Sequence, residues 1–156
     1  MADILDVTLA NIADALATTL GAAASVKVAQ SYNTLTEGIA DGDTPLIQCY
    51  WQGWAMDPVT GDTDRATFQG GIRHKEYLFH VDLYASQRTQ IQEDMQQVHD
   101  TVEELIVIFE EQDTKPYFGQ AGIKAWSVEA ERAVFDYESG SVRYPGARFL
   151  VTVHLF

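Results

Sequence analysis

The feature that most constrains the fold is the alternation of apolar and polar residues in the closing stretch, YPGARFLVTVHLF. From Ala147 to Leu155 every second residue is apolar, and most residues between them are polar, as at Arg148, Thr152 and His154. Successive side chains of a strand point to opposite faces of a sheet, so a period of two predicts a strand with one buried face. Chain termini are usually held loosely, whereas here the pattern predicts sheet up to the last residues.

Four other segments have the composition or the period of strands and are bounded by turn-forming residues: Val26–Gln30, Pro45–Trp54, Ile72–Ala85 and Ile123–Tyr137. The last of these is separated from the closing strand by ESGS, which predicts a hairpin. Its apolar phase changes between Ala130 and Ala133, and we expect a bulge or bend there.

Two segments have the period of amphipathic helices instead. The first runs from Asp3 to about Leu20 and ends at Gly21, where we expect a left-handed residue to close the helix. The second runs from about Arg88 to Glu111, with apolar positions at Ile91, Met95, Val98, Val102, Leu105 and Phe109. The order of elements predicts an α+β fold: a mainly antiparallel sheet of about four to five strands with two helices packed on one face. A single domain spanning residues 1–156 is expected.

A long segment from Gly53 to Gly71 shows no period and contains DPVTGDTDRATFQGG. Loops of this length are uncommon inside compact domains and are usually functional, so we interpret it as a working segment. Its candidate assembly contacts are Asp57, Asp62, Asp64, Arg65 and Phe68. The three acids do not follow the spacing of a calcium-binding loop, which also needs a terminal Glu. No metal site is predicted.

The charge is strongly negative and unevenly distributed. The chain carries 10 basic and 23 acidic residues, a net charge of −13, and Lys27 is its only basic residue up to Asp64. Nucleic-acid binding depends on cations that pair with phosphates, and anionic membranes also attract basic segments. We therefore expect neither partner. The acidic start, MADILD, also predicts no export signal, and the single Cys49 allows no internal disulfide.

No catalytic motif has adequate spacing: a phosphate-binding glycine loop, HExxH, paired CxxC and GxSxG are all missing from the sequence. His74 and His80 lie on one strand face but about 20 Å apart, too far to share an ion. The chain is therefore not expected to be an enzyme or to hold a cofactor. Aromatic residues are numerous and several flank loops, among them Trp51 and Trp54. They either fill the core and anchor loops or contribute to a protein interface.

The order and character of these elements resemble the tail terminator proteins of long-tailed bacteriophages, and the related minor tail and neck proteins. A first helix, DILDVTLANIADALATTL, precedes a strand opened by proline, TPLIQCYWQGW. The strand HKEYLFHVDLYA leads into a long helix, and after DTKPYFGQAGIKAW the strands VEAERAVFDY and YPGARFLVTVHLF follow. The resemblance covers nearly the whole chain, although no single motif is diagnostic.

This resemblance implies a structural protein of the virion. Several copies, typically six, would close into a ring on the finished tail tube, stop its polymerisation and present a surface to the head-tail connector protein. The implied partners are other copies of the chain, the tail tube protein and the connector. The ring would assemble in the host cytoplasm, and DNA would pass through its lumen without specific binding.

Two other interpretations stay open. One is a different neck protein, such as a head-completion or tail-completion protein. The other is a small-molecule binding or catalytic α+β domain that uses the long loop as a lid over His80 and the aromatic residues. The closing strand also has two explanations: it is central to the fold, or it pairs at a subunit interface, for which His154 and Phe156 are the candidate contacts.

Overall fold

The computed structural model describes residues 8–31, 44–56, 75–85, 91–137 and 142–155. Two helices are present in these ranges, α1 (Leu9–Leu20) and α2 (Ile91–Glu110), together with a short 3₁₀ turn at Tyr117–Gly119. The five strands are β1 (Val28–Gln30), β2 (Leu46–Met56), β3 (Lys75–Tyr84), β4 (Ile123–Tyr137) and β5 (Val142–Leu155). They form one sheet in the order β1-β2-β3-β5-β4.

The predicted α+β fold class is confirmed. Only the β1–β2 pair is parallel among the described strands, and the other three pairs are antiparallel. Both helices pack on one face of the sheet, where they bury the main core. We call this side the helix face and the opposite side the open face.

Helix α1 begins later than the predicted Asp3, since Thr8 is extended and Leu9 is the first helical residue, and it ends at the predicted place for a different reason. The Thr8 hydroxyl accepts a hydrogen bond from the Asn11 amide at 3.2 Å, which caps the first turn. Gly21 closes the helix with a right-handed φ of −65°, so the expected left-handed residue is wrong. A Cβ at Gly21 would lie 2.7 Å from the Ala17 carbonyl oxygen and 2.8 Å from the Ala29 Cβ. The glycine is needed for close packing against β1.

Helix α2 lies beside α1 over the middle of the sheet. Val98, Leu105 and Phe109 are buried, as the spacing predicts, while the side chains of Ile91 and Met95 lie outside the described part of the chain. Glu104 joins the two helical regions: its carboxylate oxygens accept hydrogen bonds from the Ser25 amide at 2.9 Å and the Ser25 hydroxyl at 2.8 Å.

Strand β5 is internal to the sheet, which accounts for the alternation at the end of the sequence. It pairs with β3 on one side and β4 on the other over most of its length. The alternating apolar residues from Ala147 to Leu155 are all buried on the helix face. Because both edges of β5 are occupied, its backbone has no room for a strand from another subunit. The alternation in the closing strand is therefore explained by its central place in the fold and not by backbone pairing at a subunit interface.

The bulge predicted between Ala130 and Ala133 is wrong. The β4–β5 register runs without interruption from Ala125 to Tyr137, and its one irregularity lies between Ile123 and Ala125. The apolar phase changes because β4 contributes to two different clusters. Its first half packs into the main core on the helix face, and Phe135 packs on the open face with a second cluster, which consists of Leu46, Tyr84 and Tyr144.

The first residues of the predicted long loop, Gly53 to Met56, belong to a strand instead. Strand β2 continues through Gly53 to Met56, opposite the first residues of β3. Gln52 is an extra residue in β2, since Trp51 pairs with Phe79 and Gly53 pairs with the adjacent Leu78, which leaves Gln52 without a partner position in β3. The remainder of the predicted loop lies outside the described residues, including the candidate contacts Asp57, Asp62, Asp64, Arg65 and Phe68.

Candidate functional site

The most concentrated group of polar side chains lies on the open face and is centred on Asp82 of β3. Register places Gln48, Asp82, Arg148 and Glu131 side by side across β2, β3, β5 and β4. Asp82 is only 2% exposed. Its carboxylate accepts hydrogen bonds from Arg148 Nε at 2.8 Å and Nη2 at 3.2 Å, a bidentate arrangement.

Tyr50 and His80 extend this group by one row of the sheet. The Tyr50 hydroxyl donates to Asp82 Oδ2 at 2.6 Å and lies 3.4 Å from His80 Nδ1. The Arg148 guanidinium carbon also lies 5.4 Å from the centre of the Phe135 ring, within the range of a cation–π contact. We call Tyr50, His80, Asp82 and Arg148 the open-face network.

The electrostatics of the open-face network favour fixed protonation states near neutral pH. Burial raises the pKa of Tyr50, and the hydrogen bond to Asp82 raises it further. The hydrogen bond to Asp82 also raises the pKa of Arg148. Partial burial, followed by the charge of Arg148, lowers the pKa of His80 against weaker opposing effects of Asp82 and Glu131. Tyr50 therefore stays neutral, Arg148 stays charged and His80 stays mostly neutral.

These properties favour a structural role for Tyr50 and Arg148. A catalytic acid or base needs a pKa close to the working pH, whereas Tyr50 and Arg148 are both shifted away from neutrality. The hydrogen bonds join β2, β3 and β5, so they fix the register of the central strands. The sequence placed Asp82 and Arg148 at polar positions of their strands, but nothing in it showed that residues 66 positions apart would pair.

Cys49 lies on the helix face of β2 and is fully buried. Burial raises the pKa of its thiol, and the charge of Asp82 adds to this effect. Since the thiolate is the reactive form, Cys49 is unsuited to act as a nucleophile or a ligand.

The predicted terminal-strand contacts are only partly visible. His154 is on the open face with Nδ1 3.3 Å from Glu76 Oε1, and about a quarter of its side chain is exposed. Phe156 lies outside the described residues. A contact of either residue with another subunit stays a prediction.

The largest exposed apolar side chains lie elsewhere, at the outer end of β2. Trp51 is 44% exposed and Trp54 is 56% exposed. Trp51 pairs with Phe79 of β3, and Trp54 pairs with Tyr77. Residues three positions apart in a regular strand point to opposite faces, but the extra residue Gln52 places both tryptophans on the helix face. We call Trp51 and Trp54 the tryptophan pair. Its exposure shows that neither helix covers this end of the ribbon formed by β2 and β3.

Two other kinds of site concern metal ions and small molecules. Among the described residues, no three His, Cys, Asp or Glu side chains come close enough together to hold a metal ion. His74, the partner of His80 in the rejected metal pair, lies outside them. An open cleft of about 540 Å³ separates the residues after α1 from α2, and Lys27, Pro45 and Asp100 line part of it.

Comparison with known proteins does not assign the chain to a family. No protein-family model matches it, and no curated protein matches it significantly. Within the described ranges, neither helix combines the length and the apolar character needed to cross a membrane.

Proposed function

We propose that this protein is a structural component of a long-tailed bacteriophage that forms a ring on the end of the tail tube. The ring ends polymerisation of the tube and joins the tail to the connector on the head. The protein then belongs to the virion after assembly in the host cytoplasm, and its partners are other copies of itself, the tail tube protein and the connector. The resemblance in element order and strand character supports this function.

The observation that carries the proposal is the tryptophan pair. Trp and Tyr are enriched at the centres of protein interfaces, because they bury a large rigid surface at small entropic cost. Two tryptophans about half exposed on one face of a two-stranded ribbon are costly to leave in water and therefore favour a protein partner. We assign this end of the ribbon to contact with the tail tube or the connector.

Two further properties agree with a structural role. The open-face network holds its charged groups in mutual hydrogen bonds that tie β2, β3 and β5 together. The net charge of −13 would line a ring with negative potential, which repels DNA and lets it pass without adhering.

The test is assembly with purified tail tube protein. Native mass spectrometry over a concentration series should show a species of about 104 kDa, six copies of the 17.4 kDa chain. Electron microscopy of tubes polymerised with and without the protein should show shorter tubes with a ring at one end. Tubes of unchanged length without a ring would refute the proposal.

A matched pair of variants locates the contact. Replacing both tryptophans by alanine should abolish capping while the fold is kept, because the two side chains are exposed in the subunit. Val107→Ala changes an apolar side chain on α2 that is 51% exposed, and it should cap tubes normally. If the double variant caps as well as the native protein, the tryptophan pair is not the contact.

A second candidate function follows from the cleft lined by Lys27, Pro45 and Asp100. Its volume of about 540 Å³ is within the range of small-molecule sites, and its lining includes both charges and amides. Thermal shift across nucleotides, metal ions and common metabolites tests a binding or catalytic domain. A specific stabilisation that disappears in Lys27→Met would favour this function over the ring.

A further inference from the structure

Helix α2 carries charge of one sign along its whole length. It contains no lysine and no arginine. Its acidic residues are Glu93, Asp94, Asp100, Glu103, Glu104 and Glu110. Acids near the C-terminus of a helix lie at the negative end of its dipole, and acids three or four residues apart repel each other. Glu110 and the neighbours Asp100 and Glu103 therefore weaken the helix to which they belong.

The outward face of α2 combines some of these acids with two apolar side chains. Ile106 is 40% exposed and Val107 is 51% exposed. Glu103 and Glu110, one turn before and one turn after them, are exposed as well. Residues three or four positions apart are neighbours on a helix surface, so these four side chains form one continuous stripe, which we call the α2 stripe. Leu105 is fully buried on the opposite side of the helix, so the α2 stripe points away from the sheet.

The subunit itself does not explain the apolar pair in the α2 stripe. Ile and Val are poorer helix formers than Ala, Lys or Glu, because branching at Cβ restricts their rotamers in a helix. The core beneath the helix is filled by other residues of α2, including Val98, Leu105 and Phe109. Ile106 and Val107 therefore stabilise neither the helix nor the core, and a contact outside the subunit accounts for them.

The chemistry of the α2 stripe indicates what covers it. In the described part of the chain, the ion pairs of Asp82 and Glu76 lie on the open face, and none reaches the stripe. Carboxylates repel nucleic acids and anionic membranes. The acids of α2 also form no metal-binding group with other residues that the structure describes. The charge instead favours a protein surface on which lysine or arginine surrounds an apolar side chain.

We propose that the α2 stripe is a docking surface for a basic protein partner. The partner presents an apolar side chain to Ile106 and Val107, and its lysine or arginine residues reach Glu103 and Glu110. These cations relieve the repulsion within α2, and the positive potential of the partner steers it towards this face. Contact between the stripes of two copies is disfavoured, because both are negative. The proposal does not depend on the ring function, since the tryptophan pair is a separate surface.

The probe is a synthetic helical peptide, labelled with fluorescein, that carries a stripe of leucines flanked by lysines. Its binding to the full chain is followed by fluorescence anisotropy, and it should be saturable and weaken as the salt concentration rises. Two control peptides have glutamate in place of lysine or serine in place of leucine. Each should bind at least about tenfold more weakly, because it lacks the cations or the apolar contact.

Matched charge variants distinguish the α2 stripe from the general negative charge of the chain. Glu103→Gln/Glu110→Gln removes two exposed charges from the stripe, and it should weaken peptide binding at least about fivefold. Glu129→Gln/Glu131→Gln removes two exposed charges from β4, and it should weaken binding by less than about twofold. Circular dichroism establishes that each variant is folded.

A matched apolar pair tests the other half of the contact. Val107→Ala should weaken peptide binding at least about fivefold, because it removes apolar surface from the centre of the stripe. Val134→Ala changes a valine on β4 that is 55% exposed, and it should bind the peptide as the native chain does. Since Val107→Ala should also cap tubes normally, this one variant separates docking at α2 from the ring function.

Stability gives a readout that a purely structural role would move in the other direction. Glu103→Gln/Glu110→Gln should raise the midpoint of urea unfolding, because it removes an unfavourable charge at the helix end and repulsion along the helix. A lower midpoint overturns the proposal, since the acids then serve the subunit. Failure of the native chain to bind the peptide overturns it too, as does an equal loss of binding in the β4 charge variant. Self-association that Val107→Asp abolishes would identify a second copy as the occupant and overturn the basic partner.

Discussion

Removing Arg148 should destabilise the protein more than neutralising its partner Asp82, although both changes break the same ion pair. The asymmetry follows from burial: the Asp82 side chain is 2% exposed and the Arg148 side chain is 32% exposed. A carboxylate deprived of its cation stays buried with little access to water, whereas a guanidinium deprived of its anion is still partly hydrated.

The magnitudes follow from the same contacts. In Arg148→Met the Asp82 carboxylate still accepts the hydrogen bond of the Tyr50 hydroxyl but loses both hydrogen bonds from the guanidinium. We expect the free energy of unfolding to fall by about 3–5 kcal/mol. In Asp82→Asn an amide oxygen can still accept from Arg148, so the expected cost is about 1–2 kcal/mol. The double variant should be more stable than Arg148→Met, because it no longer buries an unpaired charge.

The assay is urea denaturation at pH 7, followed by circular dichroism and tryptophan fluorescence. The matched control is Arg132→Met, which removes an exposed arginine from β4 and should change the free energy of unfolding by less than about 0.5 kcal/mol. If Arg148→Met costs no more than Asp82→Asn, Asp82 does not depend on its cation and the reasoning from burial is refuted.

Three further perturbations test the fold. Gly146→Ala should cost at least roughly 3 kcal/mol or prevent folding, because the added Cβ would lie 1.7 Å from the Leu83 carbonyl oxygen and force β3 and β5 apart; a native unfolding midpoint would contradict this. Phe109→Ala should cost about 3–5 kcal/mol in the same denaturation assay, since its ring is 3% exposed against three other aromatic rings. Burial, and secondly the charge of Asp82, raises the pKa of the Cys49 thiol above its ordinary 9.0. The stability that the protonated, buried thiol contributes is therefore fully present below about pH 9. At higher pH the unfolded thiol loses its proton first and stability should fall by up to about 1.4 kcal/mol per pH unit; a Cys49→Ala variant with an equally steep fall would disprove the contribution.

Periodicity predicted the elements well because it reports which residues of a segment share a face. The spacing of Leu16 and Leu20 in α1, and of Leu105 and Phe109 in α2, identified the buried sides of both helices before their neighbours were known. The same argument located the apolar side of β5. Periodicity does not predict the order of the strands, because alternation shows which face a residue lies on but not which strand it pairs with.

The errors have the same origin. A reversal of apolar phase in β4 predicts a bulge or bend if the strand has one buried face, but Phe135 packs on the opposite face against the second cluster around Tyr84. The end of β2 lies in a segment without a visible period, which predicts a loop, although the irregularity at Gln52 lets the strand continue to Met56. The open-face network depends on contacts between distant residues, and no local pattern encodes them.

The position of β5 also governs the order in which the chain can acquire its structure during synthesis. Residues 142–155 leave the ribosome after every other described strand, yet they separate β3 from β4 in the sheet. Until they emerge, β1, β2 and β3 can pair only with one another among the described strands, the outer edge of β3 stays open, and β4 has no neighbour. Native pairing then spans long stretches of sequence, which slows folding and leaves apolar strands exposed in the meantime. We therefore expect nascent chains that stop before Val142 to be held by chaperones or degraded, and chains released beyond Leu155 to fold in a single late step.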